Sequence, residues 1–112
     1  MCELTGKCKE DFENWLFTVR NEEIIDGEIK YDLYYMFMYM LPENCKKQLI
    51  IEWLDSVEIY ICIEPQKEFK NVYFDVSIDF DLHSVWSTRK EATNRAIEKA
   101  NDIYNETHQK IN

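Results

Sequence analysis

Glycine and proline are almost missing from this chain, with two of each in 112 residues. Short connections are expected, and a mobile catalytic lid is not, because long loops draw on both residue types. Histidine is as scarce: His83 and His108 stand 25 positions apart, and a catalytic imidazole needs a nucleophile or an orienting acid in reach. Ser84 is next to His83 but belongs to the opposite face of a strand, so both histidines read as surface residues. The four cysteines, Cys2, Cys8, Cys45 and Cys62, match neither a metal knuckle nor a compact disulfide framework. Cys8 and Cys45 fall on apolar helix faces, as buried free thiols do, and the set reads as reduced and cytoplasmic. No apolar run approaches the ~18 residues of a membrane span. The nearest, residues 33–41, has nine, and Met1-Cys2-Glu3 does not open a secretory signal.

What the chain does contain is apolar side chains and acid. The apolar fraction of 46%, rich in Ile, Phe, Tyr and Trp, is well above that of a disordered acidic chain, so residues 1–112 are expected to fold as one domain with one core. The formal charge of −9 is uneven. From Thr88 onward, five basic residues face four acids. The preceding 87 residues hold eight basic and eighteen acidic groups, a net of −10. Such a field repels phosphate backbones and anionic lipid and attracts basic proteins.

Residues 57–104 carry the strongest pattern. Val57, Ile59, Ile61 and Ile63 alternate with Glu58, Tyr60, Cys62 and Glu64, and Pro65 is expected to end this first strand. In the second, Val72, Phe74, Val76, Ile78 and Phe80 alternate with Tyr73, Asp75, Ser77 and Asp79. Leu82 to Trp86 supplies a third. Thr88 and Glu91 form a capping box for a last helix lined by Ala92, Ala96, Ala100 and Ile103, flanked by Ile97 and Tyr104. Upstream, Thr5 is the expected N-cap of a helix over residues 6–20, with Cys8, Phe12, Trp15, Leu16 and Val19 as its stripe. Residues 21–27 are polar and end in Asp-Gly, a turn signal. Residues 28–40 admit two readings. Ile29, Leu33, Met36, Phe37 and Met40 recur at helical spacing, whereas the tyrosines favour a strand. Pro42 fits the first position of a helix reaching Ser56, with Cys45, Leu49, Ile50, Trp53 and Leu54 inward. The expected fold is α+β, in the order α-α-α-β-β-β-α, with a three-stranded antiparallel meander covered on one face by helices. Its core is expected to hold Trp15, Trp53, Val57, Ile59, Ile61, Val72, Phe74 and Val76.

No motif specifies a reaction, and the chain reads as a binding protein without cofactor or metal rather than an enzyme. The outward sheet face gathers Glu58, Glu64, Asp75 and Asp79 with Tyr60 and Tyr73, and Asp81 follows. Tyrosines supply amphipathic contact area and carboxylates meet a partner's Lys and Arg, so Glu58, Tyr60, Tyr73, Asp75, Asp79 and Asp81 form the candidate partner-binding set. The rival is a divalent-cation phosphodiesterase using Asp75, Asp79 and Asp81. The bland alternative is a solvated face kept soluble by charge. Tyr31, Tyr34, Tyr35 and Tyr39 are too dense for one core face, which marks them as a candidate homo-oligomer contact.

Two resemblances add to this. The order helix, three strands, helix, with Thr88-Arg89-Lys90-Glu91-Ala92-Thr93-Asn94-Arg95-Ala96 opening the last helix, resembles the double-stranded RNA-binding domain. Arg89 and Lys90 match that family's paired cations, but Thr93 stands where a third belongs and the preceding residues are acidic. The resemblance therefore implies the topology, and nucleic acid remains the second choice of partner. Three further patches together resemble small uncharacterised proteins of Bacteroidota and their phages: residues 4–15, Leu41-Pro42-Glu43 leading to Trp53-Leu54-Asp55-Ser56-Val57, and Ser87-Thr88-Arg89-Lys90-Glu91-Ala92 leading to residues 100–105. That resemblance implies a phage or mobile-element origin, the host cytoplasm as setting, and inhibition of a basic host protein as one mode of action.

Overall fold

A computed structural model describes residues 3–19, 24–25, 28–29, 37–79 and 82–108. Helix α1 (Gly6–Val19) is followed by a two-stranded pair, β1 (Ile24–Ile25) and β2 (Glu28–Ile29), and then by helical residues 37–39. Helix α2 (Glu43–Ser56) leads into the meander β3 (Ile61–Glu68), β4 (Asn71–Ile78) and β5 (Leu82–Trp86), and helix α3 (Arg89–His108) closes the described chain. The class is α+β, with the antiparallel meander and the helix order read from periodicity.

Several details differ from the sequence reading. Glu28 and Ile29 are strand, so among the described residues the second helical stretch is confined to 37–39; residues 30–36 lie outside them. Pro42 is the N-cap of α2 rather than its first helical residue: its backbone is extended (φ −62°, ψ 156°) and its carbonyl accepts the N–H groups of Cys45 and Lys46 at 3.1 Å. Strand β3 starts four residues late and runs through Pro65, which pairs with Phe74. Proline is tolerated because β3 is an edge strand, where an absent N–H need not break the ladder. Residues 57–60 instead stop α2. The Glu58 N–H bonds the Asp55 carbonyl at 3.1 Å and the Ile59 N–H bonds that of Leu54 at 2.9 Å, with Glu58 in the left-handed region (φ 66°). This is the Schellman pattern, completed by burial of Leu54 and Ile59, the two side chains it brings together.

The meander keeps its expected parity. Ile61, Ile63 and Pro65 lie on the same face as Phe74, Val76 and Ile78 and as Leu82, Ser84 and Trp86. Helix α3 covers that face, and α1 and α2 pack on α3 from its other side. Ala92, Ala96 and Ala100 have essentially no exposed surface, and such small side chains permit close approach. Leu4, Cys8, Phe12, Leu16, Ile50, Trp53, Leu54, Ile59 and Ile97 complete the centre. Trp15, Val57, Ile61 and Phe74 pack against it half-buried. Val72 is 51% exposed, since the β3–β4 hairpin continues past the rung that α3 covers. Cys45 is also exposed, and the stripe of α2 comprises Lys47, Ile50, Trp53 and Leu54.

Two asparagines on α3 fasten α1. The Thr5 N–H donates to Asn101 Oδ1 at 2.9 Å, and Asn101 Nδ2 donates to the Thr5 hydroxyl at 3.0 Å. One turn on, Asn105 Oδ1 accepts the Cys8 N–H at 2.7 Å and its Nδ2 donates to the Thr5 carbonyl at 2.9 Å. The free N–H of α1's first turn is therefore capped by Asn105 from a distant helix, and the Thr5 hydroxyl serves Asn101 instead. Gly6 permits this approach: its φ is +58°, and a Cβ there would sit 3.2 Å from the Asn105 side chain. Farther along, the Tyr104 hydroxyl donates to Asp11, which also pairs with Lys7 at 3.1 Å. Burial pushes the Asp11 carboxyl up, but the bonds from Tyr104 and Lys7 outweigh it and hold it below its ordinary value. Burial, then the bond to Asp11, raises the Tyr104 phenol well above its usual range.

Candidate functional site

Among the described residues, no helix packs on the face of the meander turned away from α3. It presents Cys62, Glu64, Gln66 and Glu68 from β3, Asn71, Tyr73, Asp75 and Ser77 from β4, and His83 and Val85 from β5. At its centre Glu64 stands directly opposite Asp75. Like charges facing across a ladder are unfavourable, so neither carboxylate is there to stabilise the sheet. Two neighbours moderate them. The Cys62 thiol donates toward Glu64 Oε1 at 3.7 Å, and His83 Nδ1 lies 3.7 Å from Asp75 Oδ1, forming an ion pair when the imidazole is protonated. Val85, 59% exposed, and the half-buried Tyr73 add apolar area beside them.

The candidate binding set is divided by the fold. Tyr73 and Asp75 are on this face, as expected. Tyr60 and Asp79 sit at one end of it, engaged with each other: the Tyr60 N–H donates to Asp79 Oδ1 at 2.9 Å and the Asp79 N–H to the Tyr60 carbonyl at 2.8 Å. Asp79 has a positive φ of 54° in the turn that follows β4, so its carboxylate closes that end of the ladder. Glu58 does not lie on this face: it belongs to the α2 stop signal and not to a strand. Asp81 lies outside the described residues, as do Tyr31, Tyr34 and Tyr35. Tyr39 is 72% exposed beside Met38 and Met40, which are also exposed. The sequence gives His83 no partner but its neighbour Ser84, on the opposite face, whereas the register places it diagonally from Asp75. His83 is exposed, as expected, whereas His108 is half-buried, its ring stacked on Tyr104 at 3.9 Å between centroids. Among the described residues no group of three His, Cys, Asp or Glu side chains is arranged to hold a metal ion.

The cations of the last helix are differently employed. The Arg89 guanidinium lies over the Phe74 ring at 5.0 Å, and that of Arg95 over Trp86 at 5.6 Å while pairing with Glu98 at 3.0 Å. Among the described residues no helix is long and apolar enough to cross a membrane. Comparison with known proteins returns nothing: no family model, no curated protein and no solved structure matches this chain.

Proposed function

We propose that this protein is a binding module and not an enzyme, and that it holds a basic protein on the open face of its meander. The observation that carries this reading is the pair Glu64 and Asp75, set side by side on an exposed sheet face with Tyr73 and Val85 next to them. Partner lysines or arginines would relieve their mutual repulsion, and the tyrosine and valine supply apolar contact. The uneven charge of the chain steers the same class of partner. The resemblance to small phage proteins adds a setting, in which a phage or mobile-element protein in the host cytoplasm blocks a basic surface of a host protein.

Nucleic acid is the second reading, supported by the helix, three strands, helix order of residues 43–108. It draws little on the described surface, since Arg95 is taken up by Trp86 and Glu98. A metal-dependent phosphodiesterase fits less well, since the Asp79 carboxylate is already bonded to the Tyr60 backbone. Pull-down from host lysate at low and high salt, with the double variant Glu64→Lys/Asp75→Lys, tests the proposal. A basic partner lost at high salt and lost in the variant is the expected result. Retention of the same partner by the variant, or capture of nucleic acid alone, overturns it.

A further inference from the structure

The two edges of the meander are finished differently. The Asp79 N–H donates to the Tyr60 carbonyl at 2.8 Å, so odd-numbered residues of β4 turn their backbone groups toward β3 and even-numbered ones toward β5. By the strand registers, Ile61, Ile63, Pro65 and Lys67 of β3 and His83 and Val85 of β5 then direct theirs away from β4. On β3 that outer edge is blunted. Pro65 has no N–H to offer there, and the charged Glu64, Lys67 and Glu68 stand along the strand. β5 contains no proline and no Lys, Arg, Asp or Glu, and among the described residues no strand pairs with its outer edge. The N–H and C=O groups of His83 and Val85 are therefore placed to receive a further strand.

Both sides of that edge are shaped for alternate side chains. On the inner side, a groove of about 360 Å³ separates β5 from α3. Leu82 is 49% exposed in it although it belongs to the covered face, and Trp86 is half-buried beside it. The charges that α3 sets along the groove balance, Arg95 and Lys99 against Glu98 and Asp102, so the groove suits an apolar side chain. On the outer side, Val85 stands directly opposite Asp75 and is 59% exposed. The strand residues of this outer face include Glu64, Glu68 and Asp75 but no Lys or Arg. A lysine or arginine laid across Val85 would bury its stem there and carry its head to Asp75.

We propose that an extended segment of the basic partner adds to the meander as a fourth strand beside β5. Its apolar side chains enter the groove and alternate with lysines or arginines on the acidic face. This rests on the reading of the open face given above and adds how the partner is held: backbone bonds to His83 and Val85 supply affinity, and the alternation supplies specificity. A second copy of this chain fits the edge less well, because two molecules of charge −9 repel.

Calorimetric titration of the full chain with the end-blocked heptapeptide Lys-Val-Lys-Ile-Lys-Val-Lys tests this. Saturable one-to-one binding is expected, with a peptide of the same composition but its lysines gathered at one end weaker by about tenfold or more. Val85→Pro removes an N–H that β4 does not use, as Pro65 does on the other edge, whereas Val85→Ala removes the side chain and keeps the N–H. The proline variant, its fold checked by a melting curve, is expected to bind about tenfold or more weaker than the alanine one. Should it fail to fold, two analogues of the heptapeptide, N-methylated at the lysines or at the apolar residues, carry the test on the unaltered protein. At least one is expected to lose binding, since one edge of an added strand must bond β5; if neither does, the proposal fails. It is overturned if the heptapeptide does not saturate by about 1 mM or binds no better than its rearranged form. Binding that survives Glu64→Lys/Asp75→Lys overturns it together with the reading of the acidic face. Binding lost in that variant but equal in Val85→Pro and Val85→Ala overturns the added strand alone. A free chain that sediments as a dimer, made monomeric by Val85→Pro, gives the edge to a second copy and overturns it as well.

Discussion

Replacing Glu58 by glycine should make this protein more stable. Glu58 occupies the position after the α2 cap with φ 66°, where a side chain crowds its own carbonyl and glycine does not. The left-handed conformation costs a residue with a Cβ about 1–2 kcal/mol. Glycine removes that cost but gives back about 0.5–1 kcal/mol through the added freedom of the unfolded chain. A net gain of about 0.5–1 kcal/mol remains, and the bonds from Glu58 to Asp55 and from Ile59 to Leu54 are retained because both are made by the backbone. Loss of a negative charge near a helix C-terminus would add a few tenths of a kcal/mol, so Glu58→Ala is the control: it removes the charge and keeps the Cβ. With a urea dependence of about 1–3 kcal/mol per molar, Glu58→Gly should move the denaturation midpoint upward by roughly 0.2–1 M, clearly beyond Glu58→Ala. A glycine variant no more stable than the alanine one would refute the stop-signal assignment and return Glu58 to a strand. The same substitution should leave binding on the open sheet face unchanged.

Other expectations follow from the α1–α3 clamp and the core. Asn101→Ala removes both bonds to Thr5 and should cost about 1–3 kcal/mol in a urea melt; a loss below about 0.5 would mean that the clamp is not formed in solution. Ile97→Ala, at a fully buried position, should cost about 2–4 kcal/mol, whereas Val72→Ala, on the overhanging hairpin, should stay within about 0.5, and equal losses would contradict the extent of α3 coverage. Thermal melts across pH test the Asp11–Tyr104 bond. Asp11, held below its unfolded value near 3.8, contributes stability that is present above that pH and lost as pH falls through the lowered folded value. Tyr104, raised above its unfolded value of 10.0, contributes stability that is full below that pH and lost as pH rises beyond it. Tyr104→Phe should remove the alkaline loss and weaken the acid one; an unchanged alkaline limb would show that another group is responsible.

Periodicity in the sequence determined the meander, its inner and outer faces, the third strand at residues 82–86 and the capped last helix, because alternation and helical spacing are properties of neighbours along the chain. It also gave Tyr73 and Asp75 their face. Where β3 begins was decided by competition between neighbours: Val57 and Ile59 fit a strand pattern equally well as the last buried contacts of a helix ending in a left-handed residue, and the packing of Ile59 with Leu54 chose the helix. The clamp from Asn101 and Asn105 to Thr5 and Cys8 spans nearly the whole chain, so no local window holds it. The diagonal of His83 and Asp75 depends on strand register, and the groove between β5 and α3 depends on how the helix crosses the sheet. Local patterns specify which way a side chain faces. Which distant side chain it meets there is settled only when the helices and the sheet close on a common core.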